Sequence, residues 1–106
     1  MPAAIYSIVK LVPQPDKFDQ VVEAFRTLVQ YIETQESGTQ IYFAVQPNGS
    51  KELVFVEKYK DEESLKAHAS SPAFKQFSKT IGGLLAQKPD IRTAGLVGGF
   101  EGRTKL

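Results

Sequence analysis

The stretch Leu53–Phe77, LVFVEKYKDEESLKAHASSPAFKQF, decides the fold. Its opening alternates: Leu53, Phe55, Glu57 and Tyr59 fall on one face of a strand, Val54, Val56 and Lys58 on the other. Asp61 is placed to cap a helix, with Glu62 and Glu63 in the first turn, where the helix dipole favours acidic side chains. That helix carries the only histidine of the chain, His68, three residues after Leu65 on the same stripe. Ser71-Pro72 then resets the chain at a new first turn, with Phe74, Phe77, Ile81 and Leu84 on one face. A carboxylate, a phenol and an imidazole are thereby brought within reach of one site.

Upstream, residues 40–46 (QIYFAVQ) and 52–59 (ELVFVEKY) flank Pro47-Asn48-Gly49-Ser50, and Asn-Gly between two strands signals a hairpin because both residues tolerate positive φ. Before them, residues 4–12 read as a strand stopped by Pro13-Gln14-Pro15. Asp16 is the expected cap of a helix whose apolar stripe is Phe18, Val21, Val22, Phe25, Leu28, Val29 and Ile32, closed by Gly38. Downstream, residues 90–97 form a last strand and 98–106 an irregular tail. The whole chain, 1–106, reads as a single domain with its core over about 4–97.

The order of elements predicts an α+β fold, a ferredoxin-like split βαββαβ antiparallel sheet with its helices on one face. Such a sheet needs apolar residues only at alternate positions if its second face meets water. IYSIVKLV, IYFAV and LVFV are instead apolar at nearly every position. Two helices cover only one face, so the pattern predicts a homodimer, two copies closing sheet to sheet into a dimeric α+β barrel.

Composition narrows the chemistry. A net charge of +1 gives no basic face for nucleic acid or an anionic membrane. The absence of Cys removes disulfides and thiolate nucleophiles, and a single His cannot build a His-rich metal site. No metal ligand set or cofactor motif is found: Gly95, Gly98 and Gly99 match no phosphate loop, and Lys60-Asp61-Glu62-Glu63 is a helix start. MPAAIYSIVKLVP has neither a basic leader nor the length of a membrane span, which points to the cytoplasm.

Within this frame His68 is the candidate acid or base, because imidazole titrates near neutrality. A core histidine satisfied by Glu57 or Tyr59 is the competing reading, and residues alone favour it. Arg92 offers a cation for a phenolate or carboxylate, or pairs with a surface acid at the barrel rim. Tyr6, Tyr42, Phe43, Phe74 and Phe77 offer faces for a planar ring, or simply fill the core.

Pro15-Asp16-Lys17, Glu57-Lys-Tyr59-Lys-Asp61 and above all Leu65-Lys-Ala-His68-Ala-Ser-Ser-Pro-Ala-Phe74 resemble the antibiotic-biosynthesis monooxygenase family, over about residues 4–97. The resemblance implies a pocket between sheet and helices in which a quinol- or anthrone-type aromatic or polyketide substrate is deprotonated and oxidised by dioxygen, without flavin, metal or heme. On that resemblance His68 is the base, Glu57 orients it or supports its charge, Tyr59 lines or hydrogen-bonds the substrate, and Phe55 and Phe77 wall the pocket. Two positions depart from the family pattern: Tyr59 stands where Trp is frequent, and Ala73 where a second His is frequent. The related heme-degrading enzymes use a first-strand Asn and a pocket Trp, whereas here the only Asn is Asn48 and Trp is absent. The same fold also carries isomerases of small carbonyl metabolites, and a dimer that only binds a hydrophobic metabolite fits the residues too. An RNA-binding module shares the element order, but Glu52 and Lys58 replace a glycine and an aromatic of its third-strand signature.

Overall fold

Alternation over residues 53–59 becomes a central strand, with Leu53, Phe55, Glu57 and Tyr59 buried and the residues between them half-buried. The computed structural model describes residues 3–103. In chain order these form β1 (Ile5–Leu11), a 3-10 turn (Pro15–Lys17), α1 (Phe18–Gln35), β2 (Thr39–Val45), β3 (Leu53–Tyr59), α2 (Glu62–Ser70), α3 (Pro72–Gly82) and β4 (Asp90–Ala94). The sheet order is β2-β3-β1-β4, antiparallel throughout, the expected split βαββαβ arrangement.

Helices cover one face of this sheet. From α1 the buried side chains are Phe18, Val21, Leu28 and Ile32, and from α3 Phe77 and Ile81; they meet Leu11, Leu53 and Phe55. Phe25 lies edge-on to Phe55, ring centroids 4.9 Å apart, and stacks on Tyr42 at 6.0 Å. Asp61 caps α2 as the sequence indicates, its carboxylate accepting from the Ser64 amide at 2.8 Å and hydroxyl at 2.7 Å. Ser71 joins α2 to α3: its hydroxyl donates to the His68 carbonyl at 3.0 Å and accepts from the Phe74 amide at 3.1 Å.

Four local readings change. Asp16 falls inside the 3-10 turn and caps nothing; α1 begins after Lys17 without a side-chain cap. In the hairpin only Gly49 takes positive φ, 80°, because β2 and β3 are joined by a seven-residue connection in which a turn at 47–50 leaves Asn48 in ordinary space. Gly38 does not end α1 by a left-handed cap, since α1 stops at Gln35. Gly38 matters through closeness: a Cβ there would lie 2.1 Å from Ser64 Oγ, so only hydrogen fits where β2 begins beside α2. The last strand ends at Ala94, not 97.

The other face of the sheet is open in the single chain. Cross-strand neighbours Ile8, Val56 and Phe43 lie there, with Ile8 38%, Phe43 48% and Val45 50% exposed. β4 is exposed along its whole length. Residues 98–103 form no helix or strand, but Glu101 reaches this face, accepting from Tyr6 Oη and pairing with Lys58 Nζ at 2.9 Å. Residues 104–106 of the expected tail lie outside the described residues. No helix among the described residues is long and apolar enough to cross a membrane.

Candidate functional site

β3 and α2 bring Glu57, Tyr59 and His68 together, as their spacing indicates, in the layer between sheet and helices. The alternation of β3 sends Glu57 and Tyr59 to the helix side, and α2 turns His68 inward, 3% exposed. The imidazole is enclosed by rings: Phe74 at 4.8 Å, Tyr42 at 5.3 Å and Tyr59 at 5.4 Å between centroids. Phe74 in turn neighbours Phe77 at 6.4 Å.

The hydrogen bonds differ from those the sequence suggests. Glu57 does not bind His68; its Oε1 accepts from the Tyr59 hydroxyl at 2.7 Å. The partner of His68 Nδ1 is Glu36, at 3.0 Å, a residue absent from the sequence-derived site. Glu36 follows the last residue of α1; its Oε1 also accepts from Thr39 Oγ1 at 2.8 Å, while its buried Oε2 meets no partner among the described residues. One local signal existed for it: an acid at a helix C-terminus opposes the dipole and calls for a nearby donor.

Burial dominates the electrostatics. It pushes Glu57 up to about 7; the Tyr59 hydrogen bond opposes this and the Glu36 carboxylate adds to it. Burial lowers His68 from its ordinary value, and neighbouring Glu36 pulls it back only in part. Tyr42 and Tyr59 are both raised, chiefly by burial and then by Glu57, so their hydroxyls stay protonated. Because a carboxylate accepts only, the Glu36 contact assigns the hydrogen to Nδ1 and leaves the Nε2 lone pair free.

The remaining predicted side chains divide. Phe55 is 1% exposed and packs against Phe25 and Tyr42 as part of the core wall. Phe77 lines a groove of about 930 Å³ between α1 and α3, with Ala24, Leu28, Tyr31, Ala73 and Leu84. His68 does not border that groove; Phe77 and Phe74 stand between. Arg92 is not brought to the site at all. It pairs in register with Ile8, on the face turned away from the helices, and its Nε bonds Asp90 at 3.2 Å, the surface-acid pairing that was its alternative reading.

The family profile of antibiotic biosynthesis monooxygenases matches residues 4–80, a span that includes every side chain of this cluster. The chain belongs to that family. Among similar solved structures, a Caulobacter crescentus protein whose name places it with these monooxygenases shares 22% identity over 92% of both chains, TM-score 0.85. A Mycobacterium tuberculosis protein aligns with 93% of this chain and all of its own, 19% identical, TM-score 0.86. A Nitrosomonas europaea protein, also named with the family, covers 88% of this chain and 98% of its own at 22% identity, TM-score 0.80. At such identities the likeness is one of fold. No curated protein matches the chain.

Proposed function

We propose that the protein is a cofactor-independent monooxygenase that oxidises a quinol- or anthrone-type aromatic or polyketide substrate with dioxygen, working as a homodimer closed through the open sheet faces. The observation that carries this reading is His68: an imidazole walled by three aromatic rings, its Nδ1 tied to a buried carboxylate and its Nε2 without a hydrogen-bond partner among the described residues. In this reading a planar substrate lies in the groove between α1 and α3, against Ala73 and Phe77, and Phe74 and Phe77, which stand between that groove and His68, must yield for it to reach the imidazole. Nε2 takes a proton from the substrate. The delocalised carbanion gives one electron to dioxygen, and the two radicals join as a C–O bond. Cleavage of the O–O bond and loss of a second C–H proton leave a carbonyl and water. The CH₂ group supplies all four electrons, so no flavin or metal reductant is needed for balance. Glu36 holds His68 in the required tautomer, Tyr59 buttresses Glu57, and the rings of Phe55 and Tyr42 close the wall.

The test is oxygen uptake by purified, metal- and flavin-free protein with anthrone and a panel of quinols. His68→Ala should lower turnover about a hundredfold or more, the usual contribution of a positioned general base. Equal turnover per folded dimer in both proteins would retire the assignment. A second reading rests on the enclosure of His68, which is 3% exposed and borders no part of the groove: the protein binds or sequesters a hydrophobic metabolite in the groove, with the polar cluster acting as structure. Tight binding of the panel without turnover supports that reading.

A further inference from the structure

The end of α1 leaves negative charge unanswered. The last carbonyls of an α-helix lack intrahelical donors and form the negative pole of its dipole, and the last turn of α1 carries no basic residue. Glu36 follows directly and adds a carboxylate. Its side chain is 8% exposed; Oε1 serves both His68 and Thr39, while Oε2 has no partner among the described residues. A buried carboxylate oxygen without a donor is costly, and it marks a place where a donating ligand would be held. Beside it lies a cleft of about 380 Å³, with Glu36, Thr39 and Lys60 in its wall together with Asp61, Glu63 and Ser64 from the start of α2. Hydrogen bonds from the Ser64 hydroxyl and amide hold Asp61 below its ordinary value, so that carboxylate stays charged near neutrality. Three acids face one lysine. Among the described residues no three acidic or histidine side chains are grouped as metal ligands would be, so these carboxylates surround the cleft without converging on a point. The cation that suits them is extended and brings N–H donors of its own.

We infer that this cleft binds a small primary ammonium ion, of the size of protonated 2-aminoethanol, which donates to Glu36 Oε2 and is held by the carboxylates of Asp61 and Glu63. An ammonium carries three donors, enough to serve separated acceptors at once. Oε2 is covered in the resting chain, so binding turns the Glu36 carboxyl toward the cleft. The site does not depend on the monooxygenase reading. It is nevertheless linked to His68, because Glu36 would take the ammonium on one oxygen and the Nδ1 hydrogen on the other. A positive charge beside Glu36 offsets part of the field that the carboxylate exerts on the imidazole, so the single histidine of the chain registers occupancy.

The experiment is NMR of the full-length protein carrying nitrogen-labelled histidine, titrated with 2-aminoethanol hydrochloride near neutral pH at constant ionic strength. Wild type should show one saturable shift of the imidazole nitrogens. Glu63→Lys replaces an exposed side chain outside the hydrogen bonds of His68 and Asp61, and should weaken binding about tenfold or more by turning an attraction into a repulsion. Tetramethylammonium, which has the charge but no N–H, should bind about tenfold more weakly as well. Glu36→Gln should abolish the saturable shift; because that change also alters the His68 hydrogen bond, the Glu63 variant keeps the test decisive. Absence of a saturable shift in folded wild type overturns the proposal, as does equal affinity in Glu63→Lys, equal affinity for tetramethylammonium, or tighter binding of magnesium chloride. A shift produced by Lys60→Gln alone, with wild type indifferent to the amine, would assign the cation to Lys60 and overturn it too.

Discussion

The two faces of one sheet follow different rules. Toward the helices, β3 presents Leu53, Phe55, Glu57 and Tyr59, all buried, and the apolar wall is interrupted by a carboxyl group that burial pushes up to about 7. Away from them, the same sheet presents Ile8, Phe43, Val45 and Val56, with the charges of Lys10, Lys58 and Arg92 toward its margins. Polar atoms are thus placed where burial costs most, and aliphatic ones where the single chain leaves them wet. The contrast sets a buried polar cluster on one face against an uncovered apolar surface on the other, and the second face is the one the proposed homodimer would cover.

Breaking the open face should have the largest effect. Val56→Asp places a charge at the centre of the proposed interface, where leaving it unpaired costs several kcal/mol, and should yield monomer or unfolded chain by light scattering. A fully dimeric, soluble variant would show that the interface lies elsewhere.

The covered face can be sharpened by pH. Glu57 has an ordinary value of 4.5, raised in the folded state to about 7, so the folded protein binds this proton more tightly than the unfolded chain. Its contribution is fully present below pH 4.5 and is lost as pH rises to about 7, a total on the order of 3 kcal/mol at 1.36 kcal/mol per unit. His68 is shifted downward, so its contribution has the opposite slope and weakens as pH falls below 6.5. Glu57→Gln should therefore raise the denaturation midpoint near pH 8 more than near pH 5. Equal shifts at both pH values would mean that Glu57 is ionised throughout.

The smallest effect is expected from Arg92→Ala. The side chain is 78% exposed and pairs with an exposed Asp90, so stability should move by no more than about 0.5 kcal/mol and oxygen uptake should stay the same. A tenfold fall in turnover would return Arg92 to the site, by way of a partner subunit.

Local regularity governs what could be read in advance. The alternation of β3, the Asp61 cap, the Pro72 restart and the inward face of His68 each depend on residues a few positions apart, and each appears in the fold. Glu36 was not legible as the partner of His68, because the two lie 32 residues apart and its one local signal, an acid at a helix C-terminus, does not name the donor. Glu57 and Tyr59 were the two partners that spacing offered His68, and the resemblance favoured Glu57; these two side chains bond each other instead. Of the two readings of Arg92, parity selects the surface-acid pairing, since register with Ile8 places it on the opposite side of the sheet, beside Asp90.

Gly38 sets a length for chemistry that takes place elsewhere. The missing methyl lets the start of β2 settle against Ser64, with the Lys60 amide donating to the Gly38 carbonyl at 2.8 Å, and this seam moors the second helix beside the end of the first. Glu36 and His68 sit on the two sides of the seam, so the reach from carboxylate to imidazole is calibrated by a single hydrogen atom. A side chain at position 38 would press on Ser64 as a wedge between the second helix and the end of the first, lengthening the reach from Glu36 to His68 although neither of those residues is itself substituted.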